Sequence, residues 1–262
     1  MIVRSEKDIE GLRTAGRVLG EVLTELSAMV APGVTTAQLD LAAEKSIRNK
    51  GGVPAFLGYK PEGANYPFPA VLCASVNEEI VHGIPSENKT LIDGDIITLD
   101  LGLSYDGYFV DSAVTVPVGE ISLEDQKLLQ ATQEALEASI AVARGGMKTG
   151  DVGAAVEEVA KRRKLSIVED LGGHAVGKAV HEQPYIANEG KAGKGETLPE
   201  GMVIALEPML SQGSPRIVLD PEDEWTYRTS DGSRAAHFEH TLILTEDGCE
   251  VVTRREGEAI AK

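Results

Sequence analysis

The chain predicts an α+β architecture of two related halves, and three observations predict it. Two runs of helical apolar periodicity precede strand-like runs, and the order helix, helix, strands then comes a second time. The segment Asp93-Gly94-Asp95-Ile96-Ile97-Thr98-Leu99-Asp100 has an echo in Glu200-Gly201-Met202-Val203-Ile204-Ala205-Leu206-Glu207. Tyr108-Phe109-Val110-Asp111, followed by Ser112-Ala113-Val114, is echoed by Ala236-His237-Phe238-Glu239, followed by His240-Thr241-Leu242. A weaker echo pairs Gly33-Val34-Thr35-Thr36 with Gly146-Met147-Lys148-Thr149. No stretch has the composition of a linker, so residues 1–262 read as one domain, with halves at about 1–119 and 120–262.

In chain order, Ser5 caps a first helix, with Asp8 three residues on and Ile9, Leu12, Leu19, Val22, Leu23 and Leu26 on its apolar face. Pro32-Gly33 ends it. Thr35 or Thr36 caps a second helix that buries Leu39, Ala42, Ala43 and Ile47, and Gly51-Gly52 stops it. Residues 53–69, rich in Pro, Gly and aromatics, read as an irregular loop. Val71 to Val76 reads as a strand, and Asn77 to Pro85 as a turn that carries His82. Asp95–Leu101 and Tyr108–Val116 then form an antiparallel hairpin around Asp106-Gly107. A turn centred on Tyr105-Asp106 sets Asp100 directly opposite Asp111; one centred on Asp106-Gly107 offsets them by a diagonal step. Either register leaves both carboxylates on one face.

In the second half, Ser122 caps a helix through Leu128, Leu129, Ala135, Leu136, Ile140 and Val142. Gly145-Gly146 ends it. Thr149 caps the next, with Val152, Val156 and Val159 inward and basic Lys161 to Lys164 at its end, where cations suit the helix dipole. A glycine-rich loop, Leu171 to Gly177, presents His174 and leads to His181. Strands follow over Met202–Met209, Trp225–Thr229 and Ala236–Thr245.

Composition narrows the function classes. A net charge of −17 with no basic patch argues against nucleic acid or an anionic membrane as partner. The charged N-terminal stretch is unlike a secretory signal, and no apolar run approaches the ~18 residues of a membrane span. Cys73 and Cys249 are the only cysteines, which excludes a disulfide framework and fits a reducing cytoplasm.

Two carboxylates close together on an apolar sheet face repel unless a cation lies between them. The duplication supplies a second pair, so Asp100, Asp111, Glu207 and Glu239 are expected to converge where the halves meet. His174 adds a neutral imidazole. This set exceeds the needs of one ion and suits two bridged divalent ions. Oxygen-rich ligation with one nitrogen favours Mn, Fe or Co over a thiolate-type zinc site, with Zn kept in the set. His82 and His181 sit on loops, one in each half and near a candidate ligand, and are candidates for binding substrate or donating to an oxyanion. His237, which shares the face of Glu239, and His240, which points away, are read as structural. Cys73 reads as a small buried residue with no base to activate it.

These motifs resemble a known family. Asn77-Glu78-Glu79-Ile80-Val81-His82-Gly83-Ile84-Pro85, Asp100 with Asp111, Gly173-His174-Ala175-Val176-Gly177, His181-Glu182-Gln183-Pro184, Leu206-Glu207-Pro208 and Phe238-Glu239-His240-Thr241 resemble, in order and over essentially the whole chain, the type I methionine aminopeptidases of bacterial length. The resemblance implies the "pita-bread" fold, a curved antiparallel sheet backed by two helix pairs. It also implies removal of N-terminal Met from peptides and nascent chains by a cytoplasmic monomer, with the ribosome as a further candidate partner. By resemblance, Asp111 and Glu239 bridge two metals, Asp100 completes one shell, and His174 and Glu207 complete the other. Glu207 also shuttles a proton from water to the leaving amine. His181 stabilises the developing oxyanion, and His82 contacts the substrate backbone. Tyr59, Phe68, Cys73 and Trp225 match the pocket for the methionine side chain.

The chain departs from the family pattern at Ala175 and Val176, where Gly-Ile is common, and at Val180, where an aromatic often precedes His181. The loop from Phe56 to Pro69 is longer than usual. Only 25 residues separate His181 from Glu207, which favours type I over type II. The rival enzyme reading is a prolyl-directed peptidase of the same fold, which generally carries an additional N-terminal domain. A metal-free binding homologue is the non-enzyme rival; four buried acids without a cation weigh against it.

Overall fold

The computed structural model describes residues 1–258. Helix α1 spans Glu6–Met29, and the Ser5 hydroxyl accepts from Asp8 N as its cap. Helix α2 spans Thr36–Asn49; of the two candidate caps Thr35 takes the role, in a reciprocal pair with Gln38. Strand β1 (Val53–Pro54) opens the loop that follows. Strand β2 is confined to Cys73–Val76, because Val71 N and Leu72 N donate to Asp40 Oδ1 rather than to a ladder. The expected turn at 77–85 contains a short strand, β3 (Glu79–Val81). Strands β4 (Ile96–Tyr105) and β5 (Tyr108–Pro117) form the hairpin. Asp106 and Gly107 both have positive φ, as a type I′ turn requires, and this sets the register: Asp100 faces Ala113, and Asp111 faces Gly102. The diagonal alternative is therefore the one adopted.

Helix α3 (Leu123–Val142) is capped by Ser122. Helix α4 (Thr149–Arg163) is capped at Lys148 rather than Thr149, since the Asp151 carboxylate accepts from Lys148 N at 2.7 Å. After β6 (Ser166–Ile167), the glycine-rich segment is not a loop but strand β7 (Gly172–Ala175), flanked by β8 (Glu182–Ala187) and β9 (Val203–Leu206). The chain continues through β10 (Met209–Ser211), β11 (Ile217–Leu219) and β12 (Tyr227–Thr229). Trp225 lies outside β12 because Trp225 N and Thr226 N both donate to Asp223 Oδ1 in a turn. The last expected strand is broken at Phe238-Glu239 into β13 (Ala235–His237) and β14 (His240–Leu244), and β15 (Cys249–Val251) follows.

Every strand pairing is antiparallel among the described residues. One sheet runs β1-β4-β2 with β5 on β4, another β15-β14-β9-β7-β8, and two small ones run β13-β10-β6 and β11-β12-β3. Two apolar cores back them. Leu12, Leu19, Leu23 and Leu39 of α1 and α2 pack on Leu99 and Leu101 of β4. Leu128, Val152 and Val156 of α3 and α4 pack on Ile204, Leu206 and Leu242. This is the antiparallel sheet backed by two helix pairs that the sequence led us to expect. No described helix is long and apolar enough to cross a membrane.

The two strand systems are stitched together along β5. Asp111 N donates to Thr241 Oγ1 at 2.9 Å, and Thr241 Oγ1 donates back to Asp111 O at 2.8 Å. Ser112 Oγ donates to Glu239 O at 2.7 Å, and Glu239 N to Ala113 O at 2.9 Å. His237 N donates to Thr115 Oγ1 at 2.9 Å.

Close packing of α1 against the C-terminal segment has a measurable consequence. A Cβ at Gly16 would lie 2.1 Å from Val252 O. In an ordinary helix interior, Gly→Ala stabilises by about 1 kcal/mol. Here overpacking, at about 1–3 kcal/mol, opposes and outweighs that gain. Gly16→Ala is expected to lower the urea midpoint; a raised midpoint would show that helix and segment do not touch this closely.

Candidate metal and peptide site

Five residues, each from a different position in the strand order, meet beside the seam. Asp100 and Asp111 come from β4 and β5, His174 from β7, Glu207 from just past β9, and Glu239 from between β13 and β14. Three groups have ligand atoms within 4.8 Å of one another: Asp100, Asp111 and Glu239; His174, Glu207 and Glu239; and Asp111, His174 and His181. Each group could hold a metal ion. Glu239, Asp111 and His174 each belong to two of them. The five residues expected from the duplication and His174 are thus brought together.

The environment makes the anionic forms costly. Asp100, Glu207 and Glu239 all have pKa values pushed well above the carboxylate range by burial and by the neighbouring carboxylates. Burial raises Asp111 to about 7. Asp111 Oδ1 and Glu239 Oε1 are buried without a hydrogen-bond partner among the described residues. A native fold seldom leaves such acceptors unmatched, and a cation satisfies them. His174 is equally suited to a ligand's role. Its Nδ1 donates to Ala175 O at 3.0 Å, which leaves the Nε2 lone pair directed to the acids, 3.4 Å from Glu207 Oε1 and 4.0 Å from Asp111 Oδ2. Burial lowers its pKa to about 4, so the ring is neutral at pH 7. Donor types and orphaned oxygens both fit a divalent cation.

A cavity of about 440 Å³ opens from this cluster. Its apolar wall contains Phe56, Tyr59, Phe68, Cys73 and Trp225, with Phe68 edge-on to Trp225 at 5.2 Å between ring centroids. All four expected pocket residues are present; Phe56 lines the wall as well, and its place was hidden in an irregular loop. Cys73 sits opposite Asp100 in the β2–β4 ladder, and burial raises its thiol pKa, which keeps it protonated. Val180, noted above as a departure, packs in this apolar cluster.

His82 and His181 both line the cavity. His82 follows β3 with a left-handed backbone (φ +60), a costly conformation for a non-glycine residue. Its ring lies edge-on to Trp225 and Tyr227, and burial lowers its pKa to about 4. His181 packs between Tyr59, at 4.9 Å, and His174, at 4.5 Å between centroids. Desolvation, then His174 and His82, lowers its pKa. The rim beyond His174 is made by Asp170, Gln183 and Tyr185, which sequence reasoning did not single out. It also read His237 as structural, yet the structure brings that ring to the acids, with Nε2 3.5 Å from Glu207 Oε2.

The acids set a pH dependence for metal-free protein. A carboxyl whose folded pKa exceeds its unfolded value binds its proton more tightly when folded, so stability falls as pH rises toward the folded pKa. Histidines buried neutral act oppositely, but only below about pH 6.5. Chelator-treated protein is therefore expected to lose melting temperature as pH is raised through 7, since Asp111 titrates at about 7. Added Mn(II) should remove that trend. A melting temperature that rises between pH 6.5 and 8.5 in chelator would contradict the charge balance described.

Comparison with known proteins agrees with this geometry. Residues 10–246 match metallopeptidase family M24. The chain is 45% identical to methionine aminopeptidase of Aquifex aeolicus over 251 residues, 95% of this chain and 97% of that protein. The crystal structure of methionine aminopeptidase from Thermotoga maritima superposes with a TM-score of 0.92 at 38% identity, covering 97% of this chain and all of that one. Prolidase from Pyrococcus furiosus shares the fold alone: TM-score 0.75, 21% identity, 97% of this chain but 66% of that one. With its metal-binding geometry, its pita-bread fold and a full-length match, the chain belongs to metallopeptidase family M24, among the methionine aminopeptidases.

Proposed function

We propose that the chain removes N-terminal methionine from peptides and nascent proteins by metal-assisted hydrolysis, when the second residue is small. One observation carries the reading: the buried acid cluster opens directly onto an apolar, aromatic-walled cavity of about 440 Å³. Asp100, Asp111, His174, Glu207 and Glu239 would hold two divalent ions, drawn from Co, Mn, Fe or Zn. Bound divalent ions supply Lewis-acid polarisation of a carbonyl and activation of water at neutral pH.

The remaining chemistry belongs to the side chains. Glu207 is assigned to taking a proton at one carboxylate oxygen and giving it to the leaving amine. His82 and His181 are neutral near pH 7, so each can donate one N–H without adding charge. His181 is assigned to the oxygen of the attacked carbonyl, and His82 to the substrate backbone. Tyr59, Phe68, Cys73 and Trp225 offer the unbranched methionine side chain apolar contact and give Lys or Arg no charged partner. A second substrate residue would lie near His82 and His181, where bulk displaces the carbonyl; a shift of ~1 Å can cost about 10²-fold in rate.

The reading is tested with Met-Ala-Ser, Met-Leu-Ser and Ala-Ala-Ser peptides, before and after chelation and with metal content measured. Rapid cleavage of the first alone, abolished by chelation and restored by Mn(II), is expected. Equal cleavage of Met-Ala and Met-Leu, or full activity with no detectable metal, would overturn it.

His181→Ala separates charge stabilisation from metal binding. Loss of one oxyanion donor costs roughly 10²–10³ in kcat. The variant is expected to lose that much while its metal content, read by elemental analysis, stays at the wild-type level. Near-normal turnover, or failure to retain metal, would contradict the assignment.

A further inference from the structure

His237 ends β13 and is 1% exposed, with neither ring nitrogen hydrogen-bonded among the described residues. A buried imidazole left in that state is destabilising, so its position calls for a compensating role. Its Nε2 lies 3.5 Å from Glu207 Oε2 and 4.0 Å from Glu239 Oε2. The other oxygen of Glu207, Oε1, faces His174 Nε2 at 3.4 Å. The carboxylate is thus bracketed by two imidazoles, one on each oxygen. The backbones on both sides are fixed: His237 N donates to Thr115 Oγ1, Thr115 Oγ1 is paired with Thr98 Oγ1, and Asn188 Nδ2 donates to Glu207 O at 3.0 Å. A movement of ~0.5 Å brings Nε2 to an ordinary N–H···O distance.

We infer that His237 is a positioning residue, donating from Nε2 to the outer oxygen of Glu207 and so fixing which oxygen the carboxylate turns toward His174 and the metal cluster. This rests on the ligand role proposed for Glu207. The ring is in none of the three groups whose ligand atoms lie within 4.8 Å of one another. Partners of this kind, which orient a ligand through its free atom, are worth about 10–100-fold in metal affinity. A donor is required at this place, not merely volume. A glutamine side chain has similar reach and an N–H; phenylalanine and leucine fill space without one.

The test titrates Mn(II) into chelator-stripped wild type, H237Q, H237F and H237L by calorimetry, with melting of each metal-free protein as the structural control. H237F and H237L are expected to bind Mn(II) 10–100-fold more weakly and to lose kcat with little change in KM when loaded. H237Q should stay within about threefold of wild type, and the metal-free apolar variants should melt no lower than wild type, because the ring has no hydrogen bond before metal binds and makes its bond to Glu207 only in the loaded site. Tight binding in both apolar variants, or equal weakening in H237Q, would overturn the role of His237. If wild type itself bound no Mn(II), the metallopeptidase reading would fail instead. Should one apolar variant not fold, the other carries the comparison; if both fail while H237Q folds but binds weakly, the ring serves packing alone and the inference is wrong.

Discussion

Thr241, Ser112 and Thr115 hold two strand systems edge to edge, and the site depends on that seam. Beside one direct peptide hydrogen bond, Glu239 N to Ala113 O, hydroxyls bridge backbone to backbone, with Thr241 Oγ1 both accepting from and donating to Asp111. The backbones that carry Asp111 and Glu239 are therefore held side by side, with both residues buried. Burying an ionised carboxylate costs several kcal/mol unless it is paired. A rigid seam with acids on both sides can relieve that cost only by taking up protons or cations. The same rigidity that makes the metal-free site unfavourable is what prearranges it for a divalent ion.

Most of this was legible in the sequence because it depends on period and turn chemistry. Asp106-Gly107 specified the hairpin, and alternation then placed Asp100 and Asp111 on one face whichever register was adopted. Ser5, Thr35 and Ser122 were readable as caps because each has an oxygen within reach of the third following N–H. Thr149 misled because the carboxylate of Asp151 captured the cap one residue earlier. Gly172 to Ala175 has the composition of a loop and none of the branched residues of a strand. Long-range pairing made it one: His174 lies between Tyr185 and Ala205, with neighbours that no local pattern announces. The short strand β3 is similarly invisible, since three residues cannot display a period.

His237 is the instructive miss among the site residues. Its spacing from Glu239 put it on the same face, and that signal was present in the sequence. What the sequence lacked was the break at Phe238-Glu239, which turns both side chains toward Glu207. Only the geometry shows a ring with nothing else to bond. The aromatic wall had the opposite history: Tyr59, Phe68 and Trp225 were recoverable by resemblance although their loops have almost no regular structure.

The small sheet behind His82 has a mechanical meaning. Val81 of β3 pairs with Tyr227 of β12, and buried Glu79 holds both Lys89, at 2.8 Å, and Arg228, at 2.9 Å. Thr226 Oγ1 donates to His82 O, and the His82 ring rests against Trp225. Imidazole and indole are therefore packed edge to face, and the strand pair behind them is held by the ion pairs of Glu79. A side chain that forces Trp225 outward must also displace His82.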